Sequence, residues 1–417
     1  MAFWNVAGLK NKDKGFWDRI GEWDVIVLME TWVDEKGWRG VKNKLQKGFK
    51  WGVQYASRKN KKGRAMGGMI MGIRREREME IGEIEMTEEG MITGTLKRAG
   101  EEWRIVGVYV NEDLERKIEG LKKWMEEREE EGRRIIIGGD FNARTGEMGG
   151  RVNLGEEEEI GKNRNSKDKK SNREGRRLVE VLEETGWSII NGNIKGDEKG
   201  EYTYTGGRGN TVIDYVLGNE GIWEKIERLE IGEDIDSDHH PVICWIKGEV
   251  SWKKKRKGRQ KGRRGVWNEE GREKFRREIG EINIGGEEGG TEEEIEKMNE
   301  RIKKALEESE KGEGKEEKRK GEWWDKECIQ KKKEVRRKLR KWRRGEEERR
   351  RYREEKREYK EMCERKKKEE GERLIREAGE ARTESKVWEI VNRERRKRKG
   401  VEEGIQMKEW KEYFMGL

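Results

Sequence analysis

Seven short apolar runs set what this 417-residue chain can fold into, and all of them end before residue 247. They are Phe3–Val6, Val25–Met29, Met69–Ile73, Trp103–Val110, Arg134–Ile137, Val212–Leu217 and Val242–Ile246. Runs of four to eight apolar residues read as strands buried on both faces. Between them lie helical patterns. Leu114, Ile118, Leu121 and Met125 make one apolar stripe on an otherwise charged helix over residues 114–130, and Leu178, Val181 and Leu182 do the same over 176–184. Strands mixed with helices over this length predict one α/β (α+β) domain over residues 1–248.

The rest of the chain cannot follow that plan. With 46% charged and 30% hydrophobic residues overall, the apolar side chains do not suffice for a second core of the same kind. Residues 1–248 hold 44 basic and 48 acidic side chains, whereas residues 249–417 hold 56 and 43. A basic tail of this sort suits a polyanionic partner. Residues 249–321 read as a basic, largely disordered linker. Its segment 253–264 has nine basic residues in twelve and no acid, which reads as a solvated linker and also resembles a nuclear-import signal or a phosphate-contacting arm. Residues 322–417 read as a charged helical region. Val335, Leu339 and Trp342 share a helix face and Tyr352 and Tyr359 are seven apart, but Gly345 and Gly371 interrupt the pattern. A solvated charged helix is expected there rather than a firm coiled coil.

Three scattered cysteines, Cys244, Cys328 and Cys363, form no CxxC pair and fit a reducing compartment, with Cys244 a core thiol. No run of 18 apolar residues and no signal-peptide pattern is present, so an intracellular protein without a membrane partner is expected.

Candidate chemistry sits where the strands end. The only proline and the only two histidines stand together in Ser237-Asp238-His239-His240-Pro241. Asp–His is a pairing that hydrolases use to hold and charge-balance a base, although a turn with a packed histidine fits this segment alone equally well. Asn5 ends the first run, Glu30 the second, and Asp140 and Asn142 follow the fifth. Asp214 lies inside an apolar strand, where a carboxylate needs a partner. Hard oxygen ligands such as Glu30 and Asp238 suit Mg²⁺.

Taken in order, Asn5, Glu30-Thr31-Trp32, Gly139-Asp140-Phe141-Asn142, Ile213-Asp214-Tyr215 and Ser237-Asp238-His239 resemble the signature of the endonuclease/exonuclease/phosphatase superfamily, over roughly residues 3–247. Within it, the run Gly200–Gly209 and the Trp323-Trp324-Asp325-Lys326-Glu327-Cys328 motif resemble the endonuclease domain and linker of non-LTR (LINE-type) retrotransposons. The resemblance implies a four-layer sandwich of two mixed sheets with outer helices. It implies a nucleus-located, Mg²⁺-dependent DNA endonuclease, with Mn²⁺ as an alternative ion and element RNA as a second partner through the basic tail. A superfamily phosphatase or phosphodiesterase on another substrate, or an inactive nucleic-acid-binding remnant, are the alternatives. Glu30 would bind the metal, with Asn5 and Asp238 completing or orienting its shell. Asp140 would orient or deprotonate water, Asn142 would hold the scissile phosphate, and Tyr109 would contact the phosphate or leaving oxygen. His239, charge-assisted by Asp214, would stabilise the transition state. Thr203 and Ser237 would support these residues or contact the DNA backbone, and His240 would be structural. Three features depart from the family pattern. The first strand starts so near Met1 that incomplete pairing is expected there, no proline follows Tyr109, and no Tyr/Phe-x-Asp-Asp reverse-transcriptase motif occurs. A nuclease-plus-linker fragment of such an element, or a host gene derived from one, is therefore expected.

Overall fold

A computed structural model describes residues 1–58, 63–76, 79–98, 100–111, 114–126, 133–151, 163–207, 209–247 and 323–390 (382 and 389 excepted), with 273, 276 and 277. The basic segment 253–264 lies outside the described residues.

The apolar runs form the middle of two six-stranded sheets. The first contains β1 (Ala2–Asn5), β2 (Val25–Met29), β3 (Phe49–Gln54), β4 (Met69–Arg74), β13 (Ile226–Ile231) and β14 (Val242–Ile246), in the order β13-β14-β1-β2-β4-β3. The second contains β5 (Glu80–Glu88), β6 (Met91–Arg98), β7 (Glu101–Tyr109), β8 (Arg133–Asp140), β9 (Ser188–Ile189) and β12 (Asp214–Gly218), in the order β5-β6-β7-β8-β12-β9. Both are mixed: β1–β2 and β7–β8 are parallel and the other pairs antiparallel. A separate ribbon pairs β10 (Tyr204–Gly206) with β11 (Gly209–Thr211).

Alternate residues of each central strand face opposite ways, and both sides are covered, which is why the runs are continuously apolar. Phe3, Val25, Val27, Met29 and Met71 pack on Ile92, Ile105, Ile136 and Val216 between the sheets. Trp4, Ile26, Leu28 and Ile70 face the other way, onto Phe16, Trp17 and Ile20 of α1 (Lys14–Ile20). Val106, Val108, Ile135 and Ile137 pack on α3 (Leu114–Glu126) and α4 (Arg173–Thr185). Helix α2 (Glu35–Lys42) adds Val41 to the α1 side, and α5 (Glu220–Lys225) adds Ile222 between the sheets. The result is the expected helix–sheet–sheet–helix sandwich. At Gly138 a Cβ would stand 2.7 Å from the Phe3 ring, so the sheets meet too closely there for any side chain.

Two expectations change. The first strand is not incompletely paired: β1 lies in the interior of its sheet, between β14 and β2. The charged region is also not a solvated helix. Helix α6 (Lys326–Arg343) and helix α7 (Arg349–Gly379) form a hairpin that packs on the sandwich as part of the same compact unit. Cys328, Val335, Leu339, Tyr352, Tyr359, Met362 and Cys363 are buried together, with Ile235 of the sandwich among them. The Trp342 ring stacks on Tyr202 and Tyr352, 6.0 and 5.8 Å between centroids. Gly345, in the left-handed region at φ 77°, makes the turn between the helices. Gly371 does not interrupt α7, which runs through it. As expected, Cys244 is buried, and burial pushes its thiol up to about 12.

Candidate active site

Strand register gathers the candidate residues at one end of the sandwich. In the first sheet Asn5, the last residue of β1, stands beside Met29, the last of β2, and Glu30 follows it. In the second sheet Asp140 ends β8, with Tyr109 of β7 on one side and Asp214 of β12 on the other. Residue His239 reaches the same end just before β14.

Side-chain contacts tie these positions across the sheets. Asn5 Nδ2 donates to Asp140 Oδ2 at 2.8 Å, and Tyr109 donates its hydroxyl to Glu30 Oε1. His239 Nδ1 lies 3.1 and 3.0 Å from the two oxygens of Asp214, and its Nε2 is 3.9 Å from Asp140 Oδ2. Asp140, Asp214 and His239 are all buried. The main chain here is strained. Ala7, Glu30, Trp32 and Asn142 are the four non-glycine residues with positive φ among the described residues, between 44° and 54°. Each lies within two residues of Asn5, Glu30 or Asp140, and strain of about 1–3 kcal/mol per residue persists where the surroundings hold it. Two of these turns share one device: Asn5 Oδ1 accepts from Ala7 N, and Asp140 Oδ1 from Asn142 N, both at 3.0 Å.

Three carboxylates, those of Glu30, Asp140 and Asp214, act on one imidazole. Burial pushes His239 down, but Asp214 and then Asp140 outweigh it and raise it to about 9. Burial, with the neighbouring charge of Asp214, lifts Asp140 to about 7. The Tyr109 phenol is pushed up by burial and by Glu30. This surplus of negative charge and hard oxygen donors suits a divalent cation. Asp140, Asp214 and His239 lie close enough to hold one ion, with His239 Nδ1 already engaged by Asp214.

Other expected residues sit around this cluster. Asn142 is exposed and donates Nδ2 to Val110 O at 2.7 Å. Thr203 and Ser237 are buried beside the cluster. Thr203 Oγ1 accepts from Ile213 N and Asp214 N, and Ser237 Oγ accepts from His239 N. Asp238 is half exposed, and its Oδ1 receives Lys356 Nζ of α7 at 3.2 Å, which with other nearby charges outweighs burial and holds its carboxyl below the usual range. His240 is fully buried, with Nδ1 donating to Asp234 O and Nε2 meeting Thr205 Oγ1; burial pushes it well below 6.5, so it is neutral. Sequence reasoning missed Tyr204, whose ring lies 4.9 Å from His239, and Trp4, whose Nε1 donates to His239 O at 2.9 Å. It also missed Lys356, whose only sequence signal is a lysine at a core position of a helical stripe.

The sequence model of the endonuclease/exonuclease/phosphatase family matches residues 2–239. The chain belongs to this family. Solved structures to which the chain is similar include the endonuclease domain of TRAS1, a telomere-specific non-LTR retrotransposon, at 16% identity and a TM-score of 0.42, covering 60% of this chain and 98% of that one. A 3′-5′ exonuclease (NExo) from Neisseria meningitidis is 15% identical with a TM-score of 0.41, covering 59% and 99%. No curated protein matches the chain in sequence. The family comprises nucleases and phosphatases, hydrolases of phosphate esters. The acid–base cluster lies within the matched residues.

Proposed function

We propose that this family member is a Mg²⁺-dependent DNA endonuclease that nicks duplex DNA by in-line attack of water on a phosphodiester. The reading rests chiefly on the buried Asp140–His239–Asp214 cluster beside Glu30 and Tyr109. Asp140, with Asn5 holding one oxygen and the Asn142 amide the other, is oriented to position and deprotonate the attacking water. His239, kept protonated by Asp214, donates to the phosphoryl oxygen as negative charge gathers there. Tyr109 lies next to Asp140 in register and meets the phosphate or leaving oxygen, and the exposed Asn142 holds the scissile phosphate through its second amide hydrogen. Glu30 would hold the metal, with Asn5 orienting the shell. Asp238, already engaged by Lys356, fits as an orienting residue rather than a ligand. A Mg²⁺ ion bound there would offset charge on the phosphoryl group. Thr203 and Ser237 support the site from within, through the backbone at Asp214 and His239.

The biological setting follows the residue runs Gly200–Gly209 and Trp323–Cys328, which resemble the LINE-type branch. Nicking of target DNA for insertion, in the nucleus, is the proposed role, with a host-derived remnant as its variant and element RNA as a partner of the basic tail. A substrate panel tests the reaction: supercoiled plasmid, a 3′-phosphorylated oligonucleotide and an inositol phosphate, each with and without Mg²⁺. Plasmid nicking with little release of phosphate supports the reading. Turnover of a phosphomonoester alone contradicts it.

A further inference from the structure

The segment that delivers His239 has an unusual charge problem. Glu233, Asp234, Asp236 and Asp238 put four carboxylates into six residues, and the side chains of Asp234 and Asp236 are buried. Buried charges without partners cost several kcal/mol each. Every one of these carboxylates meets a cation of the α6–α7 hairpin. Arg340 pairs with Glu233 at 2.5 Å, Arg336 with Asp234 at 2.7 Å, Lys332 with Asp236 at 2.7 Å, and Lys356 with Asp238 at 3.2 Å. The segment's apolar side chain, Ile235, is buried in the hairpin's own core. Sandwich residues add less: Arg19 reaches Asp234 at 3.4 Å and Lys12 the Asp236 carbonyl.

Lys356 touches both residues that precede His239. Its Nζ donates to Ser237 O at 3.1 Å and to Asp238 Oδ1. Ser237 Oγ in turn accepts from His239 N at 3.2 Å. With 8% exposure, Lys356 sits too deep to meet a phosphate. An apolar residue in this position of the stripe would pack at least as stably, since buried ion pairs add little net stability over apolar side chains. The lysine does something an apolar residue cannot: it fixes the Ser237 carbonyl and the Asp238 carboxylate together.

We propose that the α6–α7 hairpin is a positioning element of the active site, acting through Lys356 on the Ser237–His239 segment so that His239 keeps its alignment with Asp214. The inference rests on His239 having the role assigned above. The functional unit then includes residues 323–379 as well as the sandwich. Lys356 is a positioning residue, not a catalytic one.

The full chain with Lys356→Met and with Lys356→Arg tests this in two ways. In plasmid nicking, Lys356→Met is expected to lower kcat roughly 10²-fold, the usual effect of a misplaced reacting group, with KM little changed. Lys356→Arg restores most of the rate. A rise in KM at constant kcat would instead mark uniform substrate binding and overturn the inference. The second readout needs no activity. With two histidines in the chain, the His239 imidazole resonance is readily resolved at one fixed pH. One sharp signal is expected in the wild type and in Lys356→Arg, and a shifted or multiple signal in Lys356→Met. A folded Lys356→Met protein with wild-type kcat and an unchanged His239 signal would reduce Lys356 to a packing role and overturn the inference. If the wild type itself does not nick DNA, the functional reading fails, while the resonance comparison still decides whether Lys356 positions His239.

Discussion

Substituting Asp214 by asparagine should move the whole pH profile of nicking toward acid. The His239 imidazole rises from 6.5 to about 9 although burial opposes the rise, and Asp214 is the foremost cause. At about 1.4 kcal/mol per unit, that lift is about 3 kcal/mol in favour of the imidazolium. Asp140, at about 7, is raised by burial and then by the same Asp214 charge. The reaction needs Asp140 ionised and His239 protonated, so the coupled pair gives a bell with limbs near 7 and 9 before metal is counted. An amide at 214 keeps a hydrogen-bond partner for Nδ1 but removes the charge. His239 then loses its proton at lower pH, and Asp140 also ionises at lower pH. At pH 7.5 the variant should be slower by roughly 10²–10⁴-fold, the usual contribution of acid–base catalysis, and should regain rate as pH falls toward 6. The assay is initial-rate plasmid nicking from pH 5 to 10 at one fixed Mg²⁺ concentration. A variant profile that overlays the wild type, or moves to alkaline pH, refutes the charge argument.

Further tests address stability and metal. Because the pKa of His239 is raised, its contribution to stability is fully present below pH 6.5 and lost as pH rises through about 9; the Tm of metal-free protein should fall across that window, and a flat Tm would contradict it. Mg²⁺ should raise Tm at pH 8, since a ligand at 100 times its Kd stabilises by about 2.7 kcal/mol, and Glu30→Gln should blunt the rise as seen by scanning calorimetry. Leu339→Ala, which empties a buried position in the cluster the hairpin forms with Ile235, should cost about 2–5 kcal/mol in denaturant unfolding; a loss below 1 kcal/mol would mean that this cluster is loosely packed. At Gly139, φ 153°, an added Cβ would lie 1.9 Å from the Val108 carbonyl oxygen, so Gly139→Ala should displace Asp140 and abolish nicking; retained activity would contradict that geometry.

The central strands and the rim residues were legible because burial on both faces leaves a continuous apolar run, and because polar groups at the ends of such runs stand out. The edge strands were not. In β5, Ile81 and Ile84 stand three apart among Glu, Gly and Thr on a strand with one partner and a largely exposed face, a weak signal for any local pattern. The hairpin was legible only as helix. Its buried stripes run through Cys328, Lys332, Val335 and Leu339 and through Tyr352, Lys356, Tyr359 and Cys363. The two lysines make both stripes look broken. They are buried because their partners, Asp13 and Asp236 for Lys332 and Asp238 for Lys356, lie more than 90 residues away in sequence. In the site, residue types were readable, and Ser237 meets His239 N only two residues on, but Thr203 as a support of Asp214 depends on contacts ten and eleven residues away that no local spacing encodes.

The most direct test is relaxation of supercoiled plasmid by the wild type and by Asp140→Asn, with Mg²⁺ and with chelator, both proteins first shown to be folded by circular dichroism. Nicking by the wild type that requires Mg²⁺ and is lost in Asp140→Asn is the predicted result. Nicking that survives chelation or survives Asp140→Asn, or a folded wild type that leaves the plasmid supercoiled, would contradict it.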